Sequence, residues 1–160
     1  MLKSLLESMN TLDEAKAALA AARAVGLPAW VSFVLGPEGE LLSRESLERA
    51  VAEMEKGGAD AVLVNCVPPQ DVTHALSRMK KFCALPFGGF AHIGRFSPPS
   101  WKFEFFPQFT ETQEWPPDRY TGEAREWREH GATILGGCCG TSPEHIAALR
   151  AWLGPNGKPR

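Results

Sequence analysis

Leu135-Gly136-Gly137-Cys138-Cys139-Gly140-Thr141-Ser142-Pro143-Glu144-His145-Ile146 runs from a strand into a helix through two adjacent cysteines. Ser142 is placed to cap that helix, with Pro143 at its first position. Thr141 with Glu144 forms a competing capping box one residue earlier. Successive side chains of a regular strand point to opposite faces. Two neighbouring thiols can therefore aim at one point only where the strand ends. Gly136, Gly137 and Gly140 supply the backbone freedom for that break. The expectation is a pair of thiolates at the C-terminal end of a strand, beside a helix N-terminus that favours negative charge.

Upstream, strands and helices alternate. Lys3–Leu6 reads as a short strand or the stub of one. Thr11 caps an alanine-rich helix to about Ala24, ended by Gly26. Pro28–Val34 reads as a buried strand, followed by a turn at Gly36-Pro37-Glu38-Gly39. Ser43 is placed to cap a helix with the apolar stripe Leu47, Ala50, Val51 and Met54, ended by Gly57-Gly58. Ala61–Asn65 is a second buried strand leading to Cys66 and Pro68-Pro69. A helix over roughly Asp71–Phe82 precedes a glycine-weakened strand at Leu85–Phe90. A helix over Thr121–His130, a last strand at Ala132–Leu135 and a helix ending near Leu153 complete the pattern.

Strand followed by helix, four or five times over, argues for an α/β fold with a parallel sheet and helices outside it. Cys66 follows one strand and Cys138-Cys139 another, with one strand between them in sequence. If sequential strands are neighbours, the two sites lie roughly 10 Å apart between backbones. Inward side chains on a curved sheet could close that gap onto one metal, given Zn–S bonds of about 2.3 Å.

Gly94 to about Tyr120 breaks the alternation. It carries Trp101, Phe103, Phe105, Phe106, Phe109 and Trp115 among several prolines, with no clear period. Two readings stand for it: a lid or binding loop, or a local aromatic core.

The composition narrows the classes. A chain of 160 residues is most simply one domain, and 44% hydrophobic with 22% charged residues is ordinary for a soluble globular protein. A formal charge of -2 gives no case for nucleic acid or an anionic membrane surface. No apolar run approaches a membrane span, and the N-terminus is too soon acidic for a signal peptide. The default compartment is the cytoplasm, where cysteines point to metal or chemistry more than to a disulfide framework.

Three thiolates converging on a strand-end face would make a zinc site with a free fourth position, the mark of a catalytic zinc. Three thiolates more than neutralise Zn2+, so the metal is a weak Lewis acid toward water. It can still bind and deprotonate an incoming thiol, whose sulfur stays electron-rich. The chemistry such a site favours is alkyl transfer to a thiol. The competing readings of Cys66, Cys138 and Cys139 are buried apolar side chains, or a vicinal disulfide at 138–139 in a thiol redox protein. Cys83, at a helix end after Phe82, reads as simply buried. His74 and His130 read as helix surface and His145 as an early helix residue. His92 follows the strand between the two cysteine sites and is placed to reach a metal's open position or to serve structurally.

Gly136-Gly137-Cys138-Cys139-Gly140-Thr141 with Pro143-Glu144-His145-Ile146, and Asn65-Cys66 upstream, resembles the homocysteine S-methyltransferase family. Glu7-Ser8 with Leu12-Asp13-Glu14-Ala15 resembles that family's segment after its fourth barrel strand, and Leu27–Phe33 its fifth strand. The resemblance implies a zinc-containing (β/α)8 TIM-type barrel that transfers a methyl group to homocysteine, giving methionine. It implies Cys66, Cys138 and Cys139 as metal ligands. It also implies that Glu7 contacts the amino acid part of homocysteine, with Asn65 a substrate-binding residue or a backbone partner at its strand end. Its donors include betaine, S-methylmethionine and methylfolate. Family barrels run near ~250 residues, and this chain corresponds to about strands four to eight. The expectation is thus a partial barrel domain over 1–153 and a tail over 154–160. A partner carrying the other half, or a second copy of the chain, would close the barrel. The alternative is a non-catalytic zinc-binding half-barrel subunit or a truncated remnant.

Overall fold

The computed structural model describes residues 2–98 and 108–154. Twelve elements follow in chain order. They are β1 (Ser4–Met9), α1 (Leu12–Ala24), β2 (Ala29–Phe33), α2 (Leu47–Lys56), β3 (Ala61–Asn65), α3 (Pro69–Met79), β4 (Phe87–Ala91), β5 (Arg95–Ser97), β6 (Gln108–Thr110), α4 (Pro117–Glu129), β7 (Ile134–Gly137) and α5 (Pro143–Leu153). The main sheet has the order β1-β2-β3-β4-β7, every pairing parallel. β5 and β6 form a separate antiparallel pair. Phe109 lies in that hairpin and Trp115 is buried beyond it, whereas Trp101, Phe103, Phe105 and Phe106 fall outside the described residues.

One apolar cluster unites the inward stripes of all five helices with alternate strand residues, Val31, Phe33, Val62 and Val64 among them. Helices on both faces of a sheet would give two such clusters. A single one puts the helices on one side, as in the wall of a (β/α) barrel. Leu63 and Phe90 are also buried but stand outside that cluster. By strand alternation they face the other way. β3 is buried along its whole length, as expected of a central parallel strand.

Several element starts differ from the sequence expectation. α2 is capped by Ser46, whose Oγ accepts from Arg49 N at 3.1 Å, and not by Ser43. Ser43 instead donates to Asn10 O at 3.2 Å, and the Glu40 carboxylate accepts from Leu47 N at 2.5 Å. The segment is drawn back by the Leu35–Leu41 bridge, which delays the helix. α3 and α4 begin at Pro69 and Pro117, because proline suits the first turn of a helix. α5 is capped by Ser142, but the His145 ring, not Glu144, accepts from Ser142 N at 3.1 Å. Among the described residues no helix is long and apolar enough to cross a membrane.

Candidate metal centre

Cys66 follows β3 directly, in the left-handed backbone region at φ 53. Cys138 and Cys139 follow β7. β4 lies between these strands, and its end splints both cysteine segments through the main chain. On one side Cys66 N donates to Phe90 O at 3.2 Å and His92 N donates to Val67 O at 3.1 Å. On the other, Cys138 N donates to Ala91 O at 2.9 Å and Ile93 N donates to Cys139 O at 3.0 Å.

The turn after the cysteines closes back on them. Thr141 donates to Cys138 O from its N–H at 3.1 Å and from Oγ1 at 2.6 Å. A Cβ on Gly137 would stand 2.4 Å from that Oγ1, and Gly140 has φ 84. Both positions need glycine for this turn, one for space and one for backbone region. The break lets both thiols face the same point.

The three Sγ atoms of Cys66, Cys138 and Cys139 all lie within 4.8 Å of one another. Cys66 to Cys139 is 3.8 Å, and Cys138 to Cys139 is 3.9 Å. Four ligands around zinc at about 2.3 Å in a tetrahedron sit ~3.8 Å apart. The donor set and its spacing thus fit zinc. All four cysteines of the chain are free thiols, with Cys66 and Cys138 half-buried and Cys139 exposed.

The thiols share charge unequally. The Cys66 thiol supports a thiolate on Cys138, whose pKa falls to about 6. Hydrogen bonding to Cys138 and burial push the Cys66 thiol up. Burial and the charge on Cys138 raise Cys139. In the metal-free chain the first negative charge therefore rests on Cys138.

Glu7 is exposed on β1, and its charge opposes ionisation of Cys138, which places it in the electrostatic neighbourhood of the cluster. β1 shifts register between Leu6 and Met9, with Ser8 in the left-handed region at φ 61. That kink turns Ser8 toward its neighbours. Ser8 N donates to Ser32 Oγ at 3.2 Å, and Asn65 Nδ2 donates to Ser8 Oγ at 2.8 Å. Asn65 Oδ1 is buried with no partner, one residue before Cys66. A buried acceptor left unpaired carries a cost that a proton donor would remove.

His92 is not part of the cluster of mutually close ligand atoms. Burial lowers its pKa, and its Nδ1 is buried with no hydrogen-bond partner. The ring packs on Phe96 at 4.9 Å, and Phe96 packs on Phe109 at 4.9 Å. Phe109 reaches the cysteine turn, since a Cβ on Gly140 would stand 2.9 Å from its ring. This aromatic column walls one flank of the site.

Two supporting residues carry no signal of their role in the sequence, where Tyr120 ends the irregular stretch from Gly94 and His145 reads as an early helix residue. Tyr120 is fully buried; its hydroxyl accepts from Ala91 N at 3.1 Å and donates to Gly136 O at 2.7 Å. His145 is buried, with Nε2 2.9 Å from Trp115 O.

A family model described as "Homocysteine S-methyltransferase" matches residues 4–153. The chain is 29% identical over 126 residues to Homocysteine S-methyltransferase 1 of Arabidopsis thaliana, covering 78% of this chain and 37% of that protein. It is 30% identical over 164 residues to Betaine--homocysteine S-methyltransferase 1 of Bos taurus, covering 93% of this chain and 39% of that protein. The metallated form of the homocysteine methyltransferase MmuM from Escherichia coli superposes with a TM-score of 0.72. That match has 24% identity and covers 92% of this chain and 43% of that one, a likeness of fold. The chain thus spans well under half the length of these relatives.

Proposed function

This chain belongs to the homocysteine S-methyltransferase family, and from that premise we propose that it takes part in methyl transfer to the thiol of homocysteine, giving methionine. Cys66, Cys138 and Cys139 would hold one zinc ion. The observation that carries this reading is the set of three sulfurs within 4.8 Å, spaced as ligands of one tetrahedral ion. Zinc held by three thiolates would supply affinity for an incoming thiol and lower the pKa of that thiol. In the transfer the thiol gives up its proton to solvent, its sulfur forms a new S–C bond to the methyl carbon, and the methyl donor keeps the electron pair of the bond that breaks.

The residues of the chain bind and orient. Asn65 Oδ1 would accept an N–H from the substrate, which supplies the partner it lacks. Glu7, exposed and close enough for its charge to act on Cys138, would take the substrate ammonium. The His92, Phe96 and Phe109 column would keep water from one flank of the reacting sulfur. Further βα units would extend the sheet from β1 and β7 into a closed barrel.

A methyl-transfer assay with zinc quantified tests this reading. It is run on the chain alone and mixed with a polypeptide carrying three complementary βα units. The expected result is bound zinc in both cases and methionine formed with the complemented chain. Zinc retained without turnover, under every pairing and every donor tried, would reduce the role to metal binding. A chain that takes up no zinc would overturn it.

A further inference from the structure

We propose that the Tyr120 hydroxyl positions the Cys138-Cys139 pair against Cys66 by bridging the ends of β4 and β7. The proposal deepens the reading of the three cysteines as one metal centre and rests on it. The sulfurs come from segments following β3 and β7, with β4 between those strands. Their separation is therefore set by how β7 lies along β4.

Tyr120 Oη acts at that seam. It accepts from Ala91 N on β4 at 3.1 Å and donates to Gly136 O on β7 at 2.7 Å. Ala91 O takes the Cys138 N–H at 2.9 Å, so the bridge sits beside the bond that anchors Cys138 itself. The ring cannot swing away. It meets Trp127 edge-on at 5.5 Å and His145 edge-on at 5.7 Å. His145 is held in turn, with Nδ1 accepting from Ser142 N at 3.1 Å and Nε2 2.9 Å from Trp115 O. α4 thus carries a fixed polar strut to the strand ends. A phenylalanine would fill the same space without the two bonds. It would take from Ala91 N and Gly136 O the partner that the hydroxyl supplies, or let the strands close on each other. Either way Cys138 moves, and metal ligation tolerates shifts of only about 0.2 Å.

The test uses the full chain with Co2+ in place of Zn2+, since thiolate-to-cobalt absorption reports sulfur ligation and the d–d bands report geometry. Tyr120→Phe is expected to weaken cobalt binding by about ten- to a hundredfold and to shift the d–d bands. Leu19→Ala opens a cavity beneath α1, where Leu19 is buried and which packs on β1, α2 and β2. It is expected to lower the melting temperature while leaving the cobalt spectrum unchanged. Wild-type affinity and bands in Tyr120→Phe, or the same spectral change in both variants, would overturn the proposal. Exchange of the Ala91 amide in the wild type reads the bridge without any metal or variant. Slow exchange supports the bridge, and exchange at the rate of an open amide overturns it. A wild-type chain that binds no cobalt but protects that amide would instead sink the metal-centre reading and leave the bridge as a purely structural tie.

Discussion

Cys138 shows how three like groups can behave differently at close range. The Cys66 thiol stabilises its thiolate and brings its pKa to about 6, while Cys66 and Cys139 are raised. The thiolate is the form that reacts. In the metal-free chain, iodoacetamide should therefore modify Cys138 first, at a rate that rises as pH passes through about 6 and then levels near neutrality. Peptide mapping by mass spectrometry checks this. First modification at Cys66, or a rate still climbing toward pH 9 as for an ordinary thiol, would contradict the charge distribution. The meeting of Cys66 with the vicinal pair could be anticipated from residue order alone, because cysteines after parallel strands share one end of a sheet. Neither the choice of Cys138 as the first thiolate nor the unpaired Asn65 Oδ1 could be. Both depend on side-chain positions of a few tenths of an ångström, which no spacing rule encodes.

The strands tell the same story at the next scale. β4 could be recognised as a strand, but its glycines read as weakness. The structure gives them a purpose. A Cβ on Gly88 would fall 1.7 Å from Ile134 O, inside the backbone of β7. The close pairing of β4 and β7 depends on that absent side chain. Gly88→Ala should cost more than ~3 kcal/mol as an overpacked and unpaired ladder, lowering the melting temperature by about 10 °C. Gly122 in α4 has nothing within 4 Å of a built Cβ. Gly122→Ala should stabilise the chain by about 0.5–1 kcal/mol through helix propensity and unfolded-state entropy. Thermal melts of the two variants check opposite signs for one chemical change. Equal shifts would contradict the packing described for β4. Helix bodies were readable from apolar periodicity, as α1 with its Thr11 cap and Gly26 stop shows. Starts at Pro69 and Pro117 were not, since a proline pair marks a boundary without saying which side of it is helical. The β5–β6 hairpin was invisible because strands of three residues are too short to show a period.

Across the whole molecule, one cluster of apolar side chains backs a five-stranded parallel wall, and the chemistry-bearing residues gather at its C-terminal edge. This is where (β/α) barrels carry their sites. The alternation of strand and helix was enough to place Cys66 and Cys138-Cys139 at that edge. The left-handed backbone at Ser8 and Cys66 could not be foreseen, because neither residue type asks for it. Cys66 is itself one of the three sulfurs, and Ser8 Oγ accepts from Asn65 Nδ2, one residue before it. The fold thus does its work by bringing two distant segments to one point, and every functional step proposed depends on that point holding metal. X-ray absorption at the zinc edge, on the full chain loaded with metal, reads it most directly. One zinc per chain with three sulfur neighbours at about 2.3 Å, falling to two in Cys66→Ser, is the predicted result. A zinc without sulfur neighbours, or a sulfur count unchanged by Cys66→Ser, would contradict it.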